Sequence, residues 1–167
     1  MEPIDRNGLD EKYSQWLDRI ETTHSGMRQE VEASPTFTPL RHPLSEARVA
    51  LVTTAGAHLD DQPPFHTETV AGDHSWRLIP DDADLTRIRF SHTHYDTSSA
   101  ALDPNVVLPV DRLHELVDNG RLGNASPIHI GMMGFNPDPG PIIDVTGPSV
   151  ASVLVDAEVD VAILVPG

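Results

Sequence analysis

Two short apolar runs, RVALV at 48–52 and VAILV at 161–165, constrain the fold more than any other feature of the chain. Each is rich in β-branched side chains, is followed by small or turn-forming residues, and is too short for a buried helix. Each therefore reads as a strand buried on both faces, the kind found in parallel sheets covered by helices. Helical patterns lie between them. Asp111 is placed to cap a helix over 112–117, and Asn119-Gly120 to close it with a left-handed turn. Gly147-Pro148-Ser149 starts a second helix that runs to Asp156, with Val150, Val153 and Leu154 on one face. HSWRLIP (74–80) and TRIRFSH (86–92) supply two further strands, and SPIHIGMMGF (126–135) reads as a short strand running into a glycine-containing loop. The pattern predicts an α/β domain with a mostly parallel sheet, in a Rossmann-like three-layer arrangement.

Residues 8–31 read as a helical arm. Tyr13, Trp16, Leu17 and Ile20 recur at helical spacing and form one apolar stripe, which packs on the domain or on a second copy of the chain in a homodimer. Residues 33–45 hold three prolines and read as an extended linker. The expected division is thus 1–45, arm and linker, and 46–167, the α/β domain. The net charge of −15, from 26 acidic and 11 basic residues, argues against a nucleic-acid or anionic-membrane surface, because binding phosphates needs clustered Lys and Arg. Lys12 is the only lysine. With no cysteine in the sequence, disulfides, thiolate metal sites and a cysteine nucleophile are absent from these residues. The N-terminal residues lack the apolar segment of a secretory signal, and no run approaches the ~20 apolar residues of a membrane span. A cytoplasmic protein is expected.

Nine histidines are many for 167 residues, and they cluster. SHTHYDTSS (91–99) holds His92, His94 and Asp96 directly after a predicted strand. On an extended segment alternate side chains share a face, so these three form either a divalent-metal triad or a general base with its orienter. The bland alternative is a set of polar residues at a strand end. The location favours function, because open α/β sheets bind ligands at the C-terminal ends of their strands. AGAHLDDQPPFH (55–66) follows the first core strand in the same way and makes His58 a candidate catalytic residue, with Gly56 allowing a sharp turn. In GDHSW (72–76), Asp73 and His74 are either substrate-binding residues or the turn that begins the next strand. HIGMMGFNPDPG (129–140) is not a GxGxxG dinucleotide fingerprint. It reads as a tight core crossing or as a loop lining a pocket, with Met133 and Gly134 as candidate substrate-binding residues. His24, His42, His66 and His114 read as surface histidines.

Taken in order, RVALVTTAGAHL, PPF, GDHSWRLIP, RIRFSHTHYD, DPNVVLPVDRLHEL and MMGFNPDPGP resemble the selenoprotein B family of glycine/sarcosine/betaine reductase and D-proline reductase, over roughly residues 48–167. The resemblance implies a reductase that cleaves a C–N bond of a small amine or amino acid. Its nucleophile would be a selenocysteine or cysteine, with electrons supplied by thiols through a thiol or selenol carrier protein, and a pyruvoyl-bearing partner subunit would activate the substrate amine. In that family the reactive residue opens a U/C-x-x-C element directly after a strand resembling LLVP plus one residue. The matching strand here is Ile163 to Gly167, so selenocysteine is expected directly beyond Gly167, in a longer gene whose UGA codon reads as a stop. His58, His92 and His94 would then hold the substrate carboxylate or protonate the leaving nitrogen, and Asp96 would orient a histidine. The alternative is a non-redox family member: a ligand-binding subunit, or an enzyme using a metal on His92, His94 and Asp96.

Overall fold

The computed structural model describes residues 38–167 together with Gln15, Asp18 and Thr22, and the chain divides into two units, Met1–Thr38 and Pro39–Gly167. In the first, Gln15, Asp18 and Thr22 are helical, and the Thr22 hydroxyl donates to the Asp18 carbonyl one turn back at 2.7 Å. The apolar stripe of Tyr13, Trp16, Leu17 and Ile20, and with it most of the expected arm, lies outside the described residues.

The second unit is built around β1 (Arg48–Thr53), whose residues from Val49 onward are all buried. Along one edge β1 pairs in parallel with β7 (Val161–Val165), from Val49 opposite Val161 to Thr53 opposite Val165. Along the other it pairs in parallel first with β5 (Asn124–Ala125) and then with β6 (Ile128–Met132). The β3 strand (Trp76–Pro80) lies antiparallel on the outer side of β6. This is a mixed α/β fold with a mostly parallel main sheet.

Both faces of β1 are covered, which is why its sequence is continuously apolar rather than alternating. Val49 and Leu51 pack with Ile79, Leu108 and the α2 helix (Val110–Asp118) through Val110 and Leu113. Ala50, Val52 and Ile130 pack against α3 (Gly147–Asp156) through Val150 and Leu154. A short α1 (Ser98–Leu102) precedes α2 and buries Ala100 beside Ala55 and Val107. Each fully buried Leu or Ile contributes roughly 1.5–3 kcal/mol, so these two clusters carry much of the fold.

Several expectations are corrected. The β4 strand (Ile88–Phe90) is not in the main sheet; it pairs antiparallel with β2 (Ala57–Leu59), a strand formed within the segment read as a loop. Gly56, at φ +71°, turns the chain just beyond β1, and its carbonyl accepts from the Ser91 N–H. That turn peels residues 57–59 away to meet β4. The α2 helix begins at Val110, not after an Asp111 cap, and Asp111 instead exchanges two hydrogen bonds with the Asn105 side chain. Gly120, at φ +65°, closes that helix as expected. A π-helical turn (Ile142–Thr146) runs directly into α3. Pro148 has no N–H to give to the preceding turn, and a widened turn accommodates that loss.

β7 is a strand but not a buried one. Ala162, Ile163 and Leu164 are exposed, Leu164 at 75%. The helices pack over β1 and β6, and only Val161 of β7 joins their clusters.

Candidate functional site at the strand ends

The parallel strands β1, β6 and β7 finish on one side of the sheet, and the residues just past them meet there. The Thr54 N–H donates to the Val165 carbonyl at 3.0 Å, extending the β1–β7 ladder. The Gly167 N–H donates to Thr54 Oγ1 at 3.2 Å. Gly167 lies so close to β1 that a Cβ on it would stand 2.3 Å from the Ala55 Cα, which excludes any side chain there without movement. Gly134 comes next: a Cβ on it would stand 3.0 Å from the Thr54 carbonyl oxygen and 3.3 Å from His92 Nε2.

His92 has one engaged nitrogen and one unengaged. Its Nδ1 accepts the His94 backbone N–H at 3.0 Å, so the neutral ring carries its proton on Nε2. Nε2 is buried and has no hydrogen-bond partner. The ring leans on Tyr95 at 4.7 Å between centroids, and the Tyr95 hydroxyl donates to the Ala55 carbonyl at 3.0 Å. Burial pushes the His92 pKa down, and the His94 charge pushes it the same way, so the neutral donor is the resting form. An unpaired buried donor costs about 1–3 kcal/mol, a penalty that a ligand's acceptor would relieve. Asn136 carries a second unpaired atom: its Nδ2 donates to the Met133 carbonyl at 2.7 Å, while its buried Oδ1, beside Gly72, has no partner.

The chain bends after Phe90, so His92, His94 and Asp96 do not alternate along a strand. His94 is exposed and stacks on Phe135 at 3.7 Å. Asp96 is exposed and accepts from the Ser98 N–H at 2.9 Å at the start of α1; hydrogen bonds from the Ser98 backbone and side chain hold its carboxyl below the usual range. Its carboxylate is engaged in this turn and does not orient a histidine. Among the described residues no group of three or more His, Cys, Asp or Glu is placed to hold a metal ion, so the expected triad is not assembled.

His58 is buried on β2. Its Nδ1–H donates to the Leu59 carbonyl and its Nε2 accepts from the Ser91 hydroxyl, each at 2.8 Å. It reaches the strand ends only through Ser91. Asp73 is buried within its own loop, accepting from the His66 N–H at 2.8 Å and from the Ser75 N–H at 2.9 Å. Burial alone would raise its pKa, but the bonds from Ser75 and His66, with the Arg77 cation nearby, hold it below the usual range. His74 is exposed, and its backbone carbonyl accepts the Thr146 hydroxyl. Met133 is buried and bridges to Ala55. Of the expected residues, the fold therefore gathers His92, Gly134 and Met133 around Thr54, Ala55 and Gly167.

One histidine escaped the sequence reading. His129 is fully buried on β6, where its Nδ1 accepts the Leu51 N–H at 3.1 Å and its Nε2–H donates to Asp81 Oδ1 at 2.9 Å. His114, expected at the surface, is partly buried, and its Nε2 lies 2.8 Å from the same Asp81 oxygen. The sequence signal was its place between Ile128 and Ile130 in a strand. Burial pushes the His129 pKa down, opposed by its bond to Asp81.

A mostly parallel sheet with glycines crowded around the C-terminal ends of its strands fits the class of open α/β sheets that bind ligands at that edge. The chain belongs to the glycine/sarcosine/betaine reductase selenoprotein B family, whose model matches residues 21–166. D-proline reductase subunit gamma of Acetoanaerobium sticklandii is 36% identical over 133 residues, which is 80% of this chain and 54% of that protein. The chain thus spans about half the length of that relative. No solved structure matches. Among the described residues no helix is long and apolar enough to cross a membrane.

Proposed function

We propose that this chain forms the strand-end scaffold of a selenol- or thiol-dependent reductase, acting in the cytoplasm, that cleaves a C–N bond of a small amine or amino acid. The observation that carries this reading is the unpaired, buried Nε2–H of His92 beside Gly134, on the edge where Gly167 meets Thr54 and Ala55. The selenocysteine or cysteine that the family resemblance places after Gly167 would stand at this edge, and a neutral N–H donor with glycine-lined surroundings fits an anionic selenium or sulfur atom or a substrate carboxylate. That residue, when present, supplies the nucleophile. The chain's own residues supply the setting. Thr54 pins Gly167, Gly134 lets its backbone lie against Thr54 and His92, and the neutral His92 donates a hydrogen bond where negative charge develops. The relative's name points to D-proline as a substrate and to assembly with other subunits, in line with a pyruvoyl-bearing partner and a thiol or selenol carrier. The metal-dependent alternative has no comparable support, because His92, His94 and Asp96 diverge.

The test has two stages. The native gene, read across the codon after Gly167, is expected to carry an in-frame UGA or Cys codon opening a U/C-x-x-C element. A stop with no continuing frame sinks the reading. The protein made with that residue, with its partner subunits, is then assayed for dithiol-dependent cleavage of D-proline and related amines. His92→Ala is expected to lower kcat/KM by about 10²-fold, the usual loss of an acid–base or donor group; an unchanged rate removes His92 from the mechanism.

A further inference from the structure

The residue before His92 is held at three points. The Ser91 N–H donates to the Gly56 carbonyl at 3.0 Å, and its hydroxyl donates to His58 Nε2 at 2.8 Å. Its carbonyl presses on Gly56, where a Cβ would stand 2.2 Å from that oxygen. Gly56 is itself fixed, with its N–H on the Met132 carbonyl at 2.8 Å and a φ of +71° that favours glycine.

The role of His58 in this arrangement follows from its neighbours. The Leu59 carbonyl can only accept, so Nδ1 carries the proton and Nε2 offers its lone pair to Ser91. His58 is 5% exposed and packs edge-on to Phe65 at 6.1 Å. A side chain so enclosed does not meet a ligand. The Ser91 hydroxyl is likewise turned toward β2 rather than toward the strand ends. What the pair controls is the departure of the chain from β4 into His92.

We infer that His58 is a positioning residue: through its hydrogen bond to Ser91 it sets the course of the backbone so that His92 Nε2–H faces Gly134 and the strand ends. This rests on the role given to His92 above. His58 is thereby moved from the catalytic group, where the sequence placed it, to the frame that aims the catalytic group.

The readout is the His92 imidazole, followed by long-range ¹H–¹⁵N NMR on the chain as it stands. The wild type is expected to show the Nε2-protonated tautomer and a titration midpoint below the ordinary histidine value of about 6.5. Ser91→Ala removes the hydroxyl and keeps the amide and carbonyl. It is expected to mix the His92 tautomers and move the midpoint toward the ordinary value, while the His129 signals, at the other end of the sheet, stay in place. Ser91→Thr restores the hydroxyl, and His58→Gln restores an acceptor for it; both are expected to return the wild-type His92 signals. His58→Phe keeps the ring volume without the acceptor, and it reads the same bond from the other partner should Ser91→Ala fail to fold. Unchanged His92 signals in Ser91→Ala or His58→Phe overturn the inference. The measurement needs no redox residue, so the two readings separate. Shifted His92 signals in a protein whose complete form reduces nothing would defeat the reductase and leave the positioning role. Unmoved signals in an active protein would do the reverse.

Discussion

The two ends of the sheet use buried histidine in opposite ways. At the start of β6, His129 has a partner on each nitrogen: the Leu51 amide on one side and Asp81 on the other. Past the ends of β1 and β6, His92 is satisfied on Nδ1 and left open on Nε2. Burial pushes both pKa values down, though His129 is fully enclosed and His92 only partly so, and the contrast lies in the partners of their nitrogens. A closed hydrogen-bond set stabilises a structure; an open one costs stability and makes sense where something else completes it.

The sharpest way to break this comparison is to remove each ring in turn. His129→Ala strands the Leu51 N–H inside the sheet and opens a cavity, with an expected loss of about 3 kcal/mol in urea unfolding. A loss under about 1 kcal/mol would mean that the His129 pairing is incidental. Next in size is a pH effect. The native His129 binds its proton less readily than an unfolded histidine does, so unfolding takes up protons on acidification. Its contribution is complete above the unfolded value, about 6.5, and is lost as the pH falls below that toward the lower native value. Asp81 and His114 face the same ring, so the slope is read as the difference between wild type and His129→Gln. A slope that survives in His129→Gln assigns the effect elsewhere. The smallest expected change is that of His92→Ala on stability, within about 1 kcal/mol, because only the bond to the His94 amide is given up and an unpaired donor is removed with it. A large destabilisation would make His92 a second structural histidine and erase the contrast.

How much of this could be read from the residues follows from the distances over which each feature is decided. The β1 strand and both main helices were legible because their patterns are local and continuous. That β7 would be a strand was equally legible, but its exposure was not, since burial depends on what packs over an element and not on the element itself. That β4 would pair with β2 outside the main sheet was not legible, because an apolar run does not say which strand it will pair with; the Gly56 turn decided that. The π-helical turn before Pro148 was equally unforeseen. That His92 and Gly134 would lie at the strand ends was legible from their position after predicted strands. Thr54, Ser91 and His129 were missed because their roles come from partners far along the chain: Leu51 and His129 are 78 residues apart. The geometry that alternation predicted for His92, His94 and Asp96 failed because the segment bends.

The exposed edge strand has a consequence for the site it carries. Gly167 is tied to Thr54, and the Thr54 N–H also donates the last ladder bond to β7. An edge strand with three exposed residues is among the first parts of a sheet to fray, well before the packed core opens. When β7 frays, Gly167 leaves Ala55 while His92 stays anchored to its own loop. The two halves of the candidate site thus rest on elements of different burial. Any element that seals the outer edge of β7 would hold the site together as well as shield Leu164, so assembly and competence would be coupled through a single strand.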